Sequence, residues 1–381
     1  MTVHRGAADV AEPRVVAIGP FPPFVGGAAK NTAIICDTLE ARGAQVRRLP
    51  TNKTRTRAEH ARSLAIYADK TLGFVGNIGR IVSARPAAAS ATVYLVPDGG
   101  PGVAFSTAYA RAAAARFPRL VVHHRSYNHI RNRSDFMAKL VRTAPHRTLH
   151  VFLDPVMEDQ FKTIYSAELR SIYVPNAATC DVEPASRGTD AGGEGPITVG
   201  FLSNLVEDKG FDVVAEAFPI LAQRLGRRVR FLLAGRPHGS GNAARLAAMG
   251  RALGDRLDYR GEVFGVTKTD FFRSCDVFVF PTRFSQEAQP NVLYEAMAAG
   301  AAIVSTRWAG VPWVLQDTVG RIIEPGPGGT EDLVGAVEDL LFSGELLTAR
   351  MRQNEVFLAK RADAAARYVQ LLDYLLGEVR V

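Results

Sequence analysis

Two glutamates with seven residues between them, Glu287 and Glu295, lie in the stretch FPTRFSQEAQPNVLYEAMAAG at residues 280–300. A carboxylate accepts paired hydrogen bonds from vicinal hydroxyls, so two of them suit a ligand that carries hydroxyls at two places. An apolar run at residues 276–281 precedes the pair, and Gly300 ends the helical pattern that contains Glu295. Pro290 fits the first turn of that helix, where its missing N–H costs nothing. Glu287 then falls in a strand-to-helix loop, and Glu295 about a turn and a half into the helix. Three other groups have chemistry to offer. Lys209, followed by Gly210, is a cation placed to reach a diphosphate. Gly26 and Gly27 bring bare backbone N–H groups to a helix start, a phosphate-binding arrangement. His123 and His124, with Arg125 and Ser126, form a polar cluster at the carboxyl end of a strand. Singly, each has a plainer reading: solvated charge, a turn glycine, a satisfied structural histidine.

The elements around these residues favour the chemical reading. Short apolar strands are expected at residues 14–19, 44–49, 92–96, 120–123, 149–153 and 171–174. A segment rich in Gly, Pro, Ser and acids, residues 181–196, is the best linker. Beyond it strands at 197–202, 229–234, near 259, 276–280 and 302–305 alternate with helical stretches. Strand–helix alternation on both sides of a linker implies an α/β chain of two doubly wound, Rossmann-like domains facing a central cleft. The expected divisions are 1–180, the 181–196 linker, 197–350, and a helix at 351–381 packed across both domains.

In that frame Lys209 and Glu287 sit at strand carboxyl ends of the second domain. Ala288, Gln289, Asn291, Val292 and Leu293 supply backbone N–H groups at a helix N-terminus, which favours anionic oxygen. A nucleotide-sugar fits this inventory, with a diphosphate in the middle and hydroxyls at both ends.

Composition sets the limits. The chain has 381 residues, 47% of them hydrophobic, and mean hydropathy near zero, which describes a soluble two-domain protein. The three cysteines are scattered, so neither a disulfide framework nor a zinc site is indicated, and a cytoplasmic setting is expected. Residues 1–180 hold 24 Lys and Arg against 12 Asp and Glu, although the whole chain is only +8. That asymmetry suits an acidic partner, and residues 47–82, basic and then apolar, are expected to rest peripherally on an anionic membrane surface. A basic nucleic-acid-binding module would explain the charge but leaves the glutamate loop idle, and no nucleic-acid motif is present.

The spacing Glu287-x7-Glu295 resembles the E-x7-E signature of family-four retaining glycosyltransferases of the GT-B fold. PFVGGAAKNTAIICDTLEARG resembles that family's N-terminal Gly-Gly loop and helix, VVHHRS its first-domain histidine segment, VPNA its pre-linker segment, and GFLSNLVEDKG its second-domain opening. RGEVFGVTKTDFFRSCDVFVFPT is similar to the run before the signature. The resemblance implies transfer of a sugar, with retention and without a metal or other cofactor, from a UDP- or GDP-linked donor. The acceptor would be a glycan or a lipid-linked hydroxyl in cell-envelope or exopolysaccharide synthesis. It also implies roles. Lys209 would neutralise the diphosphate, Glu295 bind the ribose, Glu287 contact the sugar, Gly26 and Gly27 approach the donor, and His124 (rather than His123) stand near the reacting centre. An epimerase of the same architecture is the enzymatic alternative.

Two departures stand out. Phe201 replaces an arginine usual after the glycine that opens the second domain, leaving Arg236 or Arg283 to supply a cation. Ala288-Gln289 replaces the usual Gly-Phe, with Gln289 expected to alter sugar preference and Ala288 to set a methyl toward the donor.

Overall fold

A computed structural model of the chain describes residues 14–23, 26–51, 64–83, 91–184 and 195–379. Two six-stranded parallel sheets carry the fold. The first contains β1 (Arg14–Gly19), β2 (Gln45–Pro50), β3 (Thr92–Leu95), β4 (Arg119–His123), β5 (Thr148–Phe152) and β6 (Ser171–Tyr173), in the order β2-β1-β3-β4-β5-β6. The second contains β7 (Ile197–Leu202), β8 (Val229–Ala234), β9 (Leu257–Tyr259), β10 (Val277–Phe280), β11 (Ala302–Thr306) and β12 (Gly320–Ile323), ordered β12-β11-β10-β7-β8-β9. In each sheet the strand order reverses once, between β1 and β3 and between β7 and β10. Such a switch point opens a crevice at the strand carboxyl ends.

Helices cover both sheet faces, so every residue of β3, β5, β10 and β11 is buried, polar Thr148 and His150 of β5 included. Side chains alternate between faces. Val16 and Ile18 of β1 join one first-sheet core, with Val122, Phe152 and Phe161. Val15 and Ala17 join the other, with Tyr94, Val121 and Val151. That second core is completed from far away by Leu371, Leu372 and Leu375 of the helix Leu346–Leu376. The same helix gives Ala349, Val356, Phe357 and Ala364 to the second-sheet core. At 31 residues it is about 46 Å long, enough to lie across both halves.

Strand positions follow the sequence expectation closely. β12 and the helices Val103–Arg116, Pro155–Tyr165 and Gly329–Phe342 are additions to it. The basic surface element expected at 47–82 is not one unit. Arg47 and Arg48 belong to β2, and Arg48 is held by Asp37 and Glu40 at 2.6 Å each. Residues 64–82 form a helix, and residues 52–63 lie outside the described residues. Among the described residues no helix is long and apolar enough to cross a membrane.

Candidate active site between the two halves

The second half builds its share of the site at the β7/β10 switch point. The chain leaves β7, makes a short 3-10 turn (Glu207–Lys209) and enters the helix Phe211–Leu225 through Gly210. Gly210 has φ +81, and a Cβ there would strike the carbonyl of Pro281, so only glycine lets the two loops touch. That closeness carries Lys209 to the loop after β10, where its ammonium bonds the Glu287 carboxylate. Lys209 Nζ also lies 4.4 Å from the Phe284 ring centroid and 5.7 Å from that of Phe280. Thr282 Oγ1 is 3.5 Å from Glu287 Oε2. The sequence places Lys209 and Glu287 78 positions apart; the fold joins them as one ion pair.

Pro290 is the N-cap of the helix Asn291–Ala299, one position outside where the sequence set it. Glu295 sits within that helix and is 1% exposed. Its Oε1 accepts from Lys268 Nζ at 2.7 Å and lies 3.7 Å from Lys30 Nζ of the first half. Lys30 also bonds Asp181 at 2.8 Å. Burial works against the charge of Lys30, but Asp181 and Glu295 outweigh it and hold its pKa above the ordinary value. Glu295 Oε2 is buried, and no donor reaches it among the described residues. A buried carboxylate oxygen without a partner is costly unless a ligand completes it.

The first half meets this loop along its whole length. Gly26 is the N-cap of the helix Gly27–Ala41, and a Cβ on Gly27 would stand 3.4 Å from Asn291 Nδ2. Asn31 and Asn291 exchange amide hydrogen bonds at 3.3 and 3.2 Å. Two helix N-termini therefore face each other with their positive ends inward, an arrangement that favours an anion. Arg131 donates to the carbonyl of Ser285 at 2.8 Å and covers the Trp308 ring at 3.8 Å. Burial draws its pKa down, and nearby Tyr127 and Glu287 partly offset that. Gln286 lies against Gly99 and Gly100 in the loop after β3.

For the histidine the geometry corrects the expectation. Adjacent strand residues face opposite ways, and His124 points into the core that holds Phe152 and Phe161, with ring centroids at 4.8 and 4.4 Å. Its Nε2 pairs with His150 Nδ1 at 2.9 Å. His123 is on the other face, with the Tyr94 hydroxyl 2.8 Å from its Nδ1 and Arg125 3.5 Å away. Arg125 donates to Asn176 Oδ1 at 3.0 Å, which also accepts from Asn31 at 2.9 Å. The polar network that reaches the second half starts at His123, not His124. Burial lowers the pKa of both, assisted by Arg125 and His124 at His123 and by His150 and His129 at His124, so both rings are neutral.

Other expectations change too. Phe201 is fully buried in the second core near Phe211 and Phe280. Arg283 is taken up by Asp212 at 2.6 Å, and Arg236 is exposed. The Ala288 methyl packs into a core of the first half. Gln289 turns its amide to the first half rather than into a sugar site: its Nε2 donates to the Leu153 carbonyl at 2.6 Å. Val292 is partly buried and Leu293 fully buried in the second core. Sequence reasoning missed Lys30, Lys268, Arg131, Asn176 and Asp154. The Asp154-Pro155 pair was a readable helix start, and Lys30 is the sole cation in its helix; the others carry no local signal. Among the described residues no group of three or more His, Cys, Asp or Glu is gathered to hold a metal.

Comparison with known proteins adds to this geometry. Residues 196–343 match the family model described as glycosyl transferases group 1. A phosphatidylinositol N-acetylglucosaminyltransferase subunit from Arabidopsis thaliana is 34% identical over 172 residues, covering 43% of this chain and 35% of that protein. The chain thus spans about a third of that relative's length. Sucrose-phosphate synthase from Thermosynechococcus elongatus superposes with a TM-score of 0.70 at 15% identity, over 96% of this chain and all of that one. The Anabaena protein Alr3699/HepE, solved in complex with UDP and glucose, gives 0.65 at 12% identity, over 95% of this chain and 100% of that one. At such identities these two likenesses speak to the fold alone: it is GT-B, as the sequence led one to expect.

Proposed function

We propose that this chain, whose residues 196–343 belong to the group 1 glycosyl transferases, moves a sugar from a nucleoside diphosphate donor to an acceptor hydroxyl. The observation that carries the proposal is the pairing of Lys209 with Glu287 at the second switch point, within one loop and helix of the buried Glu295. A donor diphosphate takes Lys209 from Glu287, and the freed carboxylate accepts from the sugar hydroxyls. Glu295 Oε2, which has no protein partner among the described residues, accepts from the ribose. The facing N-termini of the helices Gly27–Ala41 and Asn291–Ala299 add backbone N–H groups where the leaving phosphate develops charge.

In this reading the acceptor hydroxyl attacks on the face from which the phosphate departs, giving retention. The charge is met by Lys209 and backbone dipoles rather than by a divalent cation. A uridine donor is the first choice, on the strength of the UDP bound to the Anabaena structure. The name of the Arabidopsis relative supports an acceptor carried on a lipid, a choice that also admits an envelope glycan intermediate. The place of action is then a cytoplasmic membrane face. Val75, Val82, Phe105 and Phe136 are exposed on the first half, with Lys139 beside Phe136, and offer an apolar surface edged with positive charge.

The test is a thermal-shift screen against UDP-, GDP- and ADP-sugars, followed by transfer assays with and without EDTA and assignment of the product anomer by NMR. Stabilisation by one nucleotide-sugar class, with transfer surviving EDTA and the anomer retained, is expected. No stabilisation by any nucleotide-sugar sinks the reading. A new nucleotide-sugar formed without acceptor replaces it with an epimerase.

A further inference from the structure

Gln289 is 4% exposed, and its side chain has no hydrogen-bonding capacity left over. Nε2 donates to the Leu153 carbonyl at 2.6 Å and to Asp154 Oδ2 at 3.1 Å. Oε1 accepts from the Asn176 backbone N–H and from the Tyr294 hydroxyl, both at 3.1 Å. An amide offers two donors and two acceptor positions, and all four are in use. The main-chain carbonyl of Gln289 accepts from Asn176 Nδ2 at 2.8 Å as well. Only the Tyr294 bond stays within the second half. The others run to the end of β5 and to Asn176, where the chain passes from the first half toward the second.

The neighbouring contacts run the same way. Ala288 sits in a first-half core. Its carbonyl accepts from Gly310 N at 3.0 Å, and a Cβ on Gly310 would stand 2.7 Å from Asp154 Oδ2. Separating the halves at this point strands a carbonyl, a carboxylate and an amide N–H that are now buried and satisfied. Each such loss is expensive. Glu287 is two residues away on the same loop.

We propose that Gln289 is a positioning residue whose amide ties the Glu287 loop to the first half, so that closure of the cleft and placement of Glu287 against Lys209 are a single event. Its consequence for turnover rests on the glycosyltransferase reading above; the tie itself does not. A sugar-selecting role for Gln289 is inconsistent with an amide that has no free donor or acceptor.

The experiment compares wild type with Gln289→Ala, Gln289→Glu and the double variant Gln289→Glu/Asp154→Asn. It reads the hydrogen-exchange protection of the Asn176 amide and, by calorimetry, the affinity for UDP. Asp154 is faced by Gln289, by the Met157 N–H of its own helix and by the phenols of Tyr127 and Tyr294, both held protonated by burial. Gln289→Ala should lower Asn176 protection and weaken UDP binding by about tenfold, since affinity falls with the closed fraction. Gln289→Glu puts a second carboxylate on Asp154. At pH 8 it should be as open as Gln289→Ala, with protection returning toward pH 5 as the two carboxyls share a proton.

The double variant should regain protection at pH 8, because an asparagine still caps the helix and can donate to the new carboxylate. Unchanged Asn176 protection in Gln289→Ala, or pH-independent behaviour of Gln289→Glu, overturns the tie. Should Gln289→Ala fail to fold, the pH dependence and its rescue decide the matter. If wild type binds no nucleotide-sugar of any class but the exchange pattern holds, the tie stands and the functional reading falls.

Discussion

Around the cleft the two halves handle charge differently. In the second half each of three nearby cations is matched by a carboxylate of the same half: Lys209 by Glu287, Lys268 by Glu295 and Arg283 by Asp212. In the first half the cations reach outward. Lys30 extends to Glu295 and Arg131 donates to the Ser285 carbonyl. The second half thus pairs its cleft cations internally, whereas two first-half cations make contacts across the boundary. Chemistry on one side and positioning on the other is the division this implies.

Acid should break the two halves apart in stability, and this is the largest effect expected. His123, His124 and His150 are all buried in the first half, and burial pushes His150 down to about 3. Such groups are neutral when folded and protonated when unfolded, so the unfolded state binds more protons and stability falls as pH drops below about 6.5. At pH 5 that costs about 2 kcal/mol for His150. Hydrogen exchange in β4 and β5 should accelerate before exchange in β10 and β11 of the second half begins to change. Simultaneous loss would mean the halves do not differ in this respect.

Next in size is Lys209→Ala. Removing the cation that stabilises the leaving phosphate should lower kcat for sugar transfer by about 100- to 1000-fold, with little change in melting temperature because Glu287 keeps some solvent access. Lys30→Met is the first-half counterpart. A partly exposed cation 3.7 Å from Glu295 should change donor KM by about fivefold at most and leave kcat nearly intact. Equal damage from the two substitutions would erase the proposed division. Smallest is Phe136→Asp, which should reduce binding to phosphatidylserine vesicles at low salt without altering UDP affinity; indifference of wild type to such vesicles removes the membrane surface from the account.

How far the sequence reached depends on whether a signal is local. Strands such as Val277–Phe280 and the loop–helix pattern around Glu287 announce themselves through apolar runs and through glycine and proline at fixed places. Lys209 was placed beside a strand end by the same logic. The helix Val103–Arg116 was not, because VAFSTAYARAAAAR is alanine-rich and shows no distinct apolar stripe. The choice between His123 and His124 turns on which sheet face meets the other half, and alternation puts neighbours on opposite faces without saying which is which. Gln289 and Arg131 were unreadable for a simpler reason. Their partners are more than a hundred residues away in the chain.

The helix Leu346–Leu376 has a consequence for biosynthesis. The first half emerges first from the ribosome, yet one of its two cores waits for Leu371, Leu372 and Leu375, which are made after the whole of the second half. Until then the apolar sheet face containing Tyr94, Val121 and Val151 is covered by Ile35 and Leu39 of the helix Gly27–Ala41 but lacks its last partners. The nascent first half is therefore expected to expose apolar surface that invites aggregation while the second is made. A stalled or truncated chain lacking that last segment would aggregate through its earliest-made half.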